Sequence, residues 1–145
     1  MDKNRWLIEL SEKRASQFWK VPFDKLTDAE KVFVAIWGLE ADVNNGGFSQ
    51  YYFNSHGDNS AYAPAALRAV GANAMARIVD QANAVFGRAG PPADRDARQR
   101  AIEALGSSAE ETWGKLDTDF FAYPDDLTEC LYTYVQAHKA QIRGM

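Results

Sequence analysis

The chain has 145 residues, 46% hydrophobic and 25% charged, with a net charge of −4 and one cysteine. That is the length of one ordinary domain (residues 1–145), able to fold without disulfide or metal support, and 12% aromatics with four Trp exclude a disordered chain. The acidic balance argues against direct, non-specific nucleic-acid binding, the lone Cys130 excludes an intrachain disulfide, and the most apolar stretch, Val32 to Leu39, is far short of the ~20 residues that cross a bilayer.

In chain order, the apolar spacing is helical nearly throughout. The N-terminus has no secretory apolar run, so a cytoplasmic protein is expected. Residues 5–20 read as a first helix with Trp6, Leu7, Leu10 and Phe18 inward and Arg14 interrupting the stripe; Pro22 breaks it. Thr27-Asp-Ala-Glu30 is a capping box, opening a helix with Val32, Phe33, Ile36, Leu39, Glu40 and Val43 on one face. Asn44-Asn45-Gly46-Gly47 ends that helix, because Asn and Gly tolerate a left-handed C-terminus. A short helix is expected from Phe48 to Asn54, then a loop from Ser55 to Ser60.

Pro64 suits the first turn of the next helix, which runs to Val70 and turns at Gly71. Met75, Ile78, Val79, Ala82 and Phe86 form the stripe of another, and Gly87 to Pro92 is a breaker-rich connection. Helices follow at residues 94–105, 109–121 and 126–142. Trp113, Leu116 and Phe120 line the second of these; Leu127, Leu131, Tyr134 and His138 line the third. No segment alternates with period two, so the expected fold is all-α, a compact bundle of about seven or eight helices.

The densest polar chemistry runs from Glu40 to Gly57. Glu40 lies on an apolar face, which is costly unless its carboxylate is paired or hydrogen-bonded. Gln50 and Asn54 share a helical face and, with Asn44, converge at the corner made by Gly46 and Gly47. Two roles are open: a buried polar network that fixes the corner, or a cleft that binds a ligand, with His56 as the one candidate general base beside Glu40.

The run Val43-Asn-Asn-Gly-Gly-Phe-Ser-Gln-Tyr-Tyr-Phe-Asn54-Ser, followed by Ala66-Leu67 and Val70-Gly71-Ala72, resembles a bacterial domain-of-unknown-function family. Its best-known member is a DNA mimic that occupies the DNA-binding surface of a transcription factor. The resemblance covers the chain from about residue 28 onward. It implies an all-helical fold and a protein partner, such as a DNA-binding regulator.

Charge is unevenly spread. From Glu103 to Glu129 there are eight carboxylates against Lys115, a net of −7, whereas Asn59 to Ile102 carries +3. A DNA-sized face 30–35 Å long would oppose roughly 20 phosphates, so mimicry would have to gather its acids on one face. Glu110, Glu111, Asp117, Asp125 and Asp126 are the interface candidates; helical spacing aligns Glu110 with Asp117 and leaves Asp119 to the side.

Other chemistry is sparse. No pair of potential ligands has metal-site spacing, and neither a metal nor another cofactor is expected. Ser55-His56 adjacency is not a triad. Gly46-Gly47 without a Walker lysine is weak evidence for an anion site. His138 is expected at the edge of the core and Cys130 as a buried, inert thiol. The reading favours a non-enzymatic protein-binding domain over an enzyme or small-ligand site at the Glu40–His56 corner, with no membrane contact; a homodimer that buries surplus aromatic surface is compatible with it.

Overall fold

Seven α-helices and three short 3-10 turns make up the computed structural model, which describes residues 1–145 and contains no strand. The all-α expectation is met. The helices are α1 (Lys3–Ser11), α2 (Asp28–Phe53), α3 (Ala63–Ala69), α4 (Asn73–Ala84), α5 (Arg95–Leu105), α6 (Ser107–Phe121) and α7 (Leu127–Ala137). No helix is long and apolar enough to cross a membrane.

Helix α2 is the hub. The Thr27 hydroxyl accepts the Glu30 amide and the Glu30 carboxylate accepts the Thr27 amide, so the capping box forms as its sequence specifies. Val32, Phe33, Ile36, Leu39 and Val43 are all buried. Around this helix pack α3, α5 and α6, with α7 in lighter contact; α4 bridges α3 and α6, and α1 lies on α7. One continuous cluster of buried apolar side chains joins them. Its centre is aromatic: Tyr52 lies 4.9 Å from both Phe86 and Trp113, and Phe48 meets Phe120 edge-on at 5.9 Å. The Trp113 indole donates to the Ala82 carbonyl at 3.0 Å, which satisfies its buried N–H.

Three segments differ from expectation. The first helix stops at Ser11 rather than running to residue 20. Phe18 is needed in the core, where its ring stacks on Phe33 at 4.3 Å, and the Trp19 indole folds back to the Ser11 carbonyl at 2.8 Å. A straight helix rises 1.5 Å per residue and would separate those two residues by about 12 Å. Residues 55–59, expected as loop, form a 3-10 turn. The last helix ends at Ala137, followed by the third 3-10 turn at Lys139–Gln141, and the inward position of its last turn belongs to Val135 while Tyr134 and His138 are half-buried.

The C-terminal segment is tied to the start of α2. Glu30 is fully buried, and its carboxylate accepts hydrogen bonds from the Arg143 amide at 3.0 Å and from Arg143 Nη2 at 2.7 Å. Burial pushes the Glu30 carboxyl up, but the Arg143 side chain and the Thr27 and Arg143 amides outweigh it, so the group sits below the ordinary glutamate value.

Candidate functional site

The break in α2 is made by two glycines. Gly46 and Gly47 leave the helical conformation inside an otherwise continuous helix, and Gly47 adopts φ 73°, ψ −176°, a region essentially confined to glycine. A Cβ at Gly47 would lie 2.3 Å from Asp117 Oδ2. The missing side chain is therefore what lets the Asp117 carboxylate approach, and Asp117 Oδ1 accepts the Phe48 amide at 2.8 Å. A carboxylate at the start of the short helical segment after the break satisfies a free amide and complements the positive end of the peptide dipoles. Burial raises the Asp117 pKa, and this hydrogen bond opposes the rise.

Two separate polar networks flank the break. In the first, Tyr123 donates its hydroxyl to Glu40 Oε2 at 2.7 Å and accepts from Asn44 Nδ2 at 2.8 Å. Tyr123 is the one non-glycine residue with positive φ, at 47°. Burial raises the Glu40 pKa despite the Tyr123 hydrogen bond, and burial together with Glu40 pushes the Tyr123 phenol up to about 12.

The second network centres on Asp42, which is 7% exposed. Asp42 Oδ1 accepts Gln50 Nε2 at 3.0 Å and Asn54 Nδ2 at 3.4 Å, and Oδ2 lies 3.0 Å from His56 Nδ1. The His56 ring packs on the backbone of Gly38, where a Cβ would come within 2.9 Å of it. Asn45 Nδ2 completes the group by donating to Gln50 Oε1 at 3.2 Å.

Arg98 holds the far end. Its side chain is fully buried, and its five N–H donors find Tyr52, Pro92, Ala93 and Asn54 carbonyls and the Asp58 carboxylate at 2.6–3.0 Å. It fastens α5 to the chain between Tyr52 and Asp58. Gly57 makes room for it, since a Cβ there would lie 2.9 Å from Arg98 Nε.

The structure thus brings together Gln50, Asn54 and His56, but on Asp42, and it separates Glu40 and Asn44 onto Tyr123. His56 does not face Glu40. Asp42, Tyr123 and Arg98 were not singled out from the sequence. Asp42 was detectable, since it falls three residues after Leu39 on a buried face and poses the same question as Glu40; Tyr123 and Arg98 carry no local signal.

The acidic candidates also divide. Glu110 and Glu111 are exposed on α6, as is Asp119, and none of the three is in an ion pair. Asp117 turns inward to Phe48. Asp125 is half-buried and accepts the Met75 amide at 2.9 Å, which caps α4 from a distance, and Asp126 caps α7 by accepting the Glu129 amide at 3.1 Å. Cys130 is half-buried rather than buried; burial raises its pKa, with the carboxylates of Asp125, Asp126 and Glu129 adding to the effect. No three His, Cys, Asp or Glu side chains gather into a group suited to a metal ion.

Residues 24–138 match the family model of the DMP19-like proteins. The chain belongs to the DMP19-like family. Comparison with curated proteins and with solved structures gives no match. The family match takes in the glycine break, both polar networks, Arg98 and the whole of α6, and it leaves α1 and the C-terminal segment outside.

Proposed function

We propose that this DMP19-like chain is a non-enzymatic interaction domain, a DNA mimic that binds a DNA-binding regulatory protein by offering carboxylates where that protein expects phosphates. The observation that carries the reading is that three carboxylates of α6, Glu110, Glu111 and Asp119, are exposed with no cation partner. Family membership supports it. Asp117, Asp125 and Asp126 add negative charge to the same half of the chain while each holds a backbone amide. Their substitution would disturb folding as well as binding, so they are poor probes of the surface.

A competition experiment tests the reading. A DNA-binding protein captured by this chain is loaded with fluorescently labelled duplex DNA, and the chain is titrated in. Duplex release that weakens as salt rises is expected, together with much poorer competition by a Glu110→Lys/Glu111→Lys/Asp119→Lys variant that melts like the parent. Equal competition by that variant rejects the acidic surface.

A second reading rests on His56. Its side chain is 44% exposed while Asp42 fixes Nδ1 from behind, the orientation seen where a histidine works through its other nitrogen. On this reading the corner binds a small polar ligand, and His56→Gln abolishes a ligand-induced thermal shift without lowering the melting temperature of the free chain. The mutual saturation of Gln50, Asn54 and Asp42 favours the structural role over this one.

A further inference from the structure

The glycine break divides α2 into a long stretch ending at Asn45 and a short one starting at Phe48. Gly46 and Gly47 have no side chains to fix the angle between the two, and paired glycines left to themselves form a swivel. Two sets of contacts hold the angle, and both cross the break.

The inner set lies within α2 and the turn that follows it. Asp42, before the break, accepts Gln50 Nε2 at 3.0 Å and Asn54 Nδ2 at 3.4 Å, and meets His56 Nδ1 at 3.0 Å, all three after it. Asn45 repeats the crossing by donating to Gln50 Oε1 at 3.2 Å.

The outer set comes from α6. Tyr123, two residues beyond that helix, is bonded to Glu40 and Asn44 before the break. Asp117, on the helix itself, holds the Phe48 amide after it. The end of α6 therefore braces α2 from outside and grips it on both sides of the break. Tyr123 keeps its positive φ of 47° in doing so, a conformation that persists only where the surroundings over-determine it. Each set also closes over one glycine: a Cβ at Gly46 would strike the Gln50 amide, and one at Gly47 the Asp117 carboxylate.

The two sets share no hydrogen-bond partner. Both depend on one variable, the angle at Gly46–Gly47. A swing that pulls Gln50 and Asn54 from Asp42 also carries the Phe48 amide away from Asp117. Hydrogen bonds weaken steeply as they lengthen and tilt, so each set needs the angle that the other maintains.

We propose that the Gly46–Gly47 break is a hinge held by two mutually dependent braces, through which the Asp42–His56 corner sets the seating of α6. A change at half-exposed His56 is thereby felt at the helix that carries Glu110, Glu111 and Asp119, and a partner bound to that helix is felt at the corner, because coupling between sites is reciprocal. What α6 binds rests on the interaction reading above and is tested by DNA competition; the coupling is tested separately, on the free chain.

A double-mutant cycle in urea makes that test. Asp42→Ala cuts the inner brace, and Tyr123→Phe cuts the outer one. The second change removes no charge, so carboxylate repulsion does not enter the comparison. Each single variant raises the unfolding constant by some factor. Mutual dependence predicts that the double variant raises it by more than about threefold less than the product of those factors. A value closer to the product, or above it, overturns the proposal. Native-state hydrogen exchange on the parent chain gives a second reading that requires no variant to fold. The amides of Phe48, Asn54 and Tyr123 are expected to share one opening constant, and constants spread over more than about tenfold overturn the hinge.

Discussion

Asp117 Oδ1 accepts the Phe48 amide at 2.8 Å across 69 residues of sequence, and this contact joins the acidic helix α6 to the glycine break in α2. It explains why the break carries glycine. The position of Gly47 must be free of a side chain both for its backbone conformation and for the carboxylate that approaches it.

Gly47→Ala is therefore expected to destabilise the chain by about 2–4 kcal/mol, from backbone strain plus displacement of Asp117. Gly71→Ala is the control. Gly71 also has positive φ, but a Cβ there meets nothing within 4 Å, so its cost stays near 1 kcal/mol. Urea unfolding of both variants measures the difference, and equal losses would disprove the role assigned to Asp117.

Asp42 and His56 form a pair with unequal burial. Asp42→Ala leaves the Gln50 and Asn54 amides without their acceptor, and about 1–3 kcal/mol of stability is lost. His56→Ala removes a half-exposed partner and costs about 1 kcal/mol or less. Chemical denaturation ranks the two, and a larger loss at His56 would contradict Asp42 as the centre of the network.

The Glu30–Arg143 pair makes a prediction in acid. The folded pKa of Glu30 lies below the ordinary value, so the unfolded chain binds more protons across the interval between them. Its contribution is complete above the unfolded pKa and is lost as pH falls through the folded one. Arg143→Ala strands a buried carboxylate, so stability at neutral pH falls by about 1–3 kcal/mol, the lower part of the range for a broken buried pair because Arg143 is half-exposed. Melting temperatures from pH 7 to pH 3 read both effects. The loss relative to the parent should shrink towards pH 3.

Glu40 has the opposite sign. Its folded pKa is raised, so the stability it contributes is present below the unfolded pKa and disappears as pH rises through the folded one. At pH 7 its ionised form is a net cost. Glu40→Gln keeps an acceptor for the Tyr123 hydroxyl and removes the charge, and it is expected to leave stability at pH 7 unchanged or raise it by up to about 1 kcal/mol, with that gain vanishing towards pH 4. A large loss at neutral pH would mean that the carboxylate charge itself is required.

Tyr51 supplies a fifth test. Its hydroxyl is buried and has no hydrogen-bond partner, and burial raises its pKa far above the ordinary tyrosine value. Tyr51→Phe removes an unpaired polar atom and keeps the ring, so stability should hold or rise by about 1 kcal/mol. A clear drop in melting temperature would show that the hydroxyl is satisfied in solution.

The sequence by itself determined what depends on near neighbours. The Thr27–Glu30 capping box, the chain break at Gly46-Gly47, the turn at Gly71 and the inward stripes Met75–Ile78–Val79–Ala82 and Trp113–Leu116–Phe120 all follow from contacts within about one helical turn. So did the all-α class. Only the tertiary structure decided which partner each polar group found. Asp42 rather than Glu40 receives His56, Asp117 and Asp125 hold the amides of Phe48 and Met75, Arg98 closes on five acceptors, and Glu30 meets Arg143 across 113 residues. The same distinction shortened the first helix, because the need to seat Phe18 against Phe33 overrode local spacing at residues 12–20. A hydrogen bond or a ring contact is decided by a few tenths of an ångström between elements far apart in the chain, and that placement follows from how whole helices pack, which no local pattern of residues encodes.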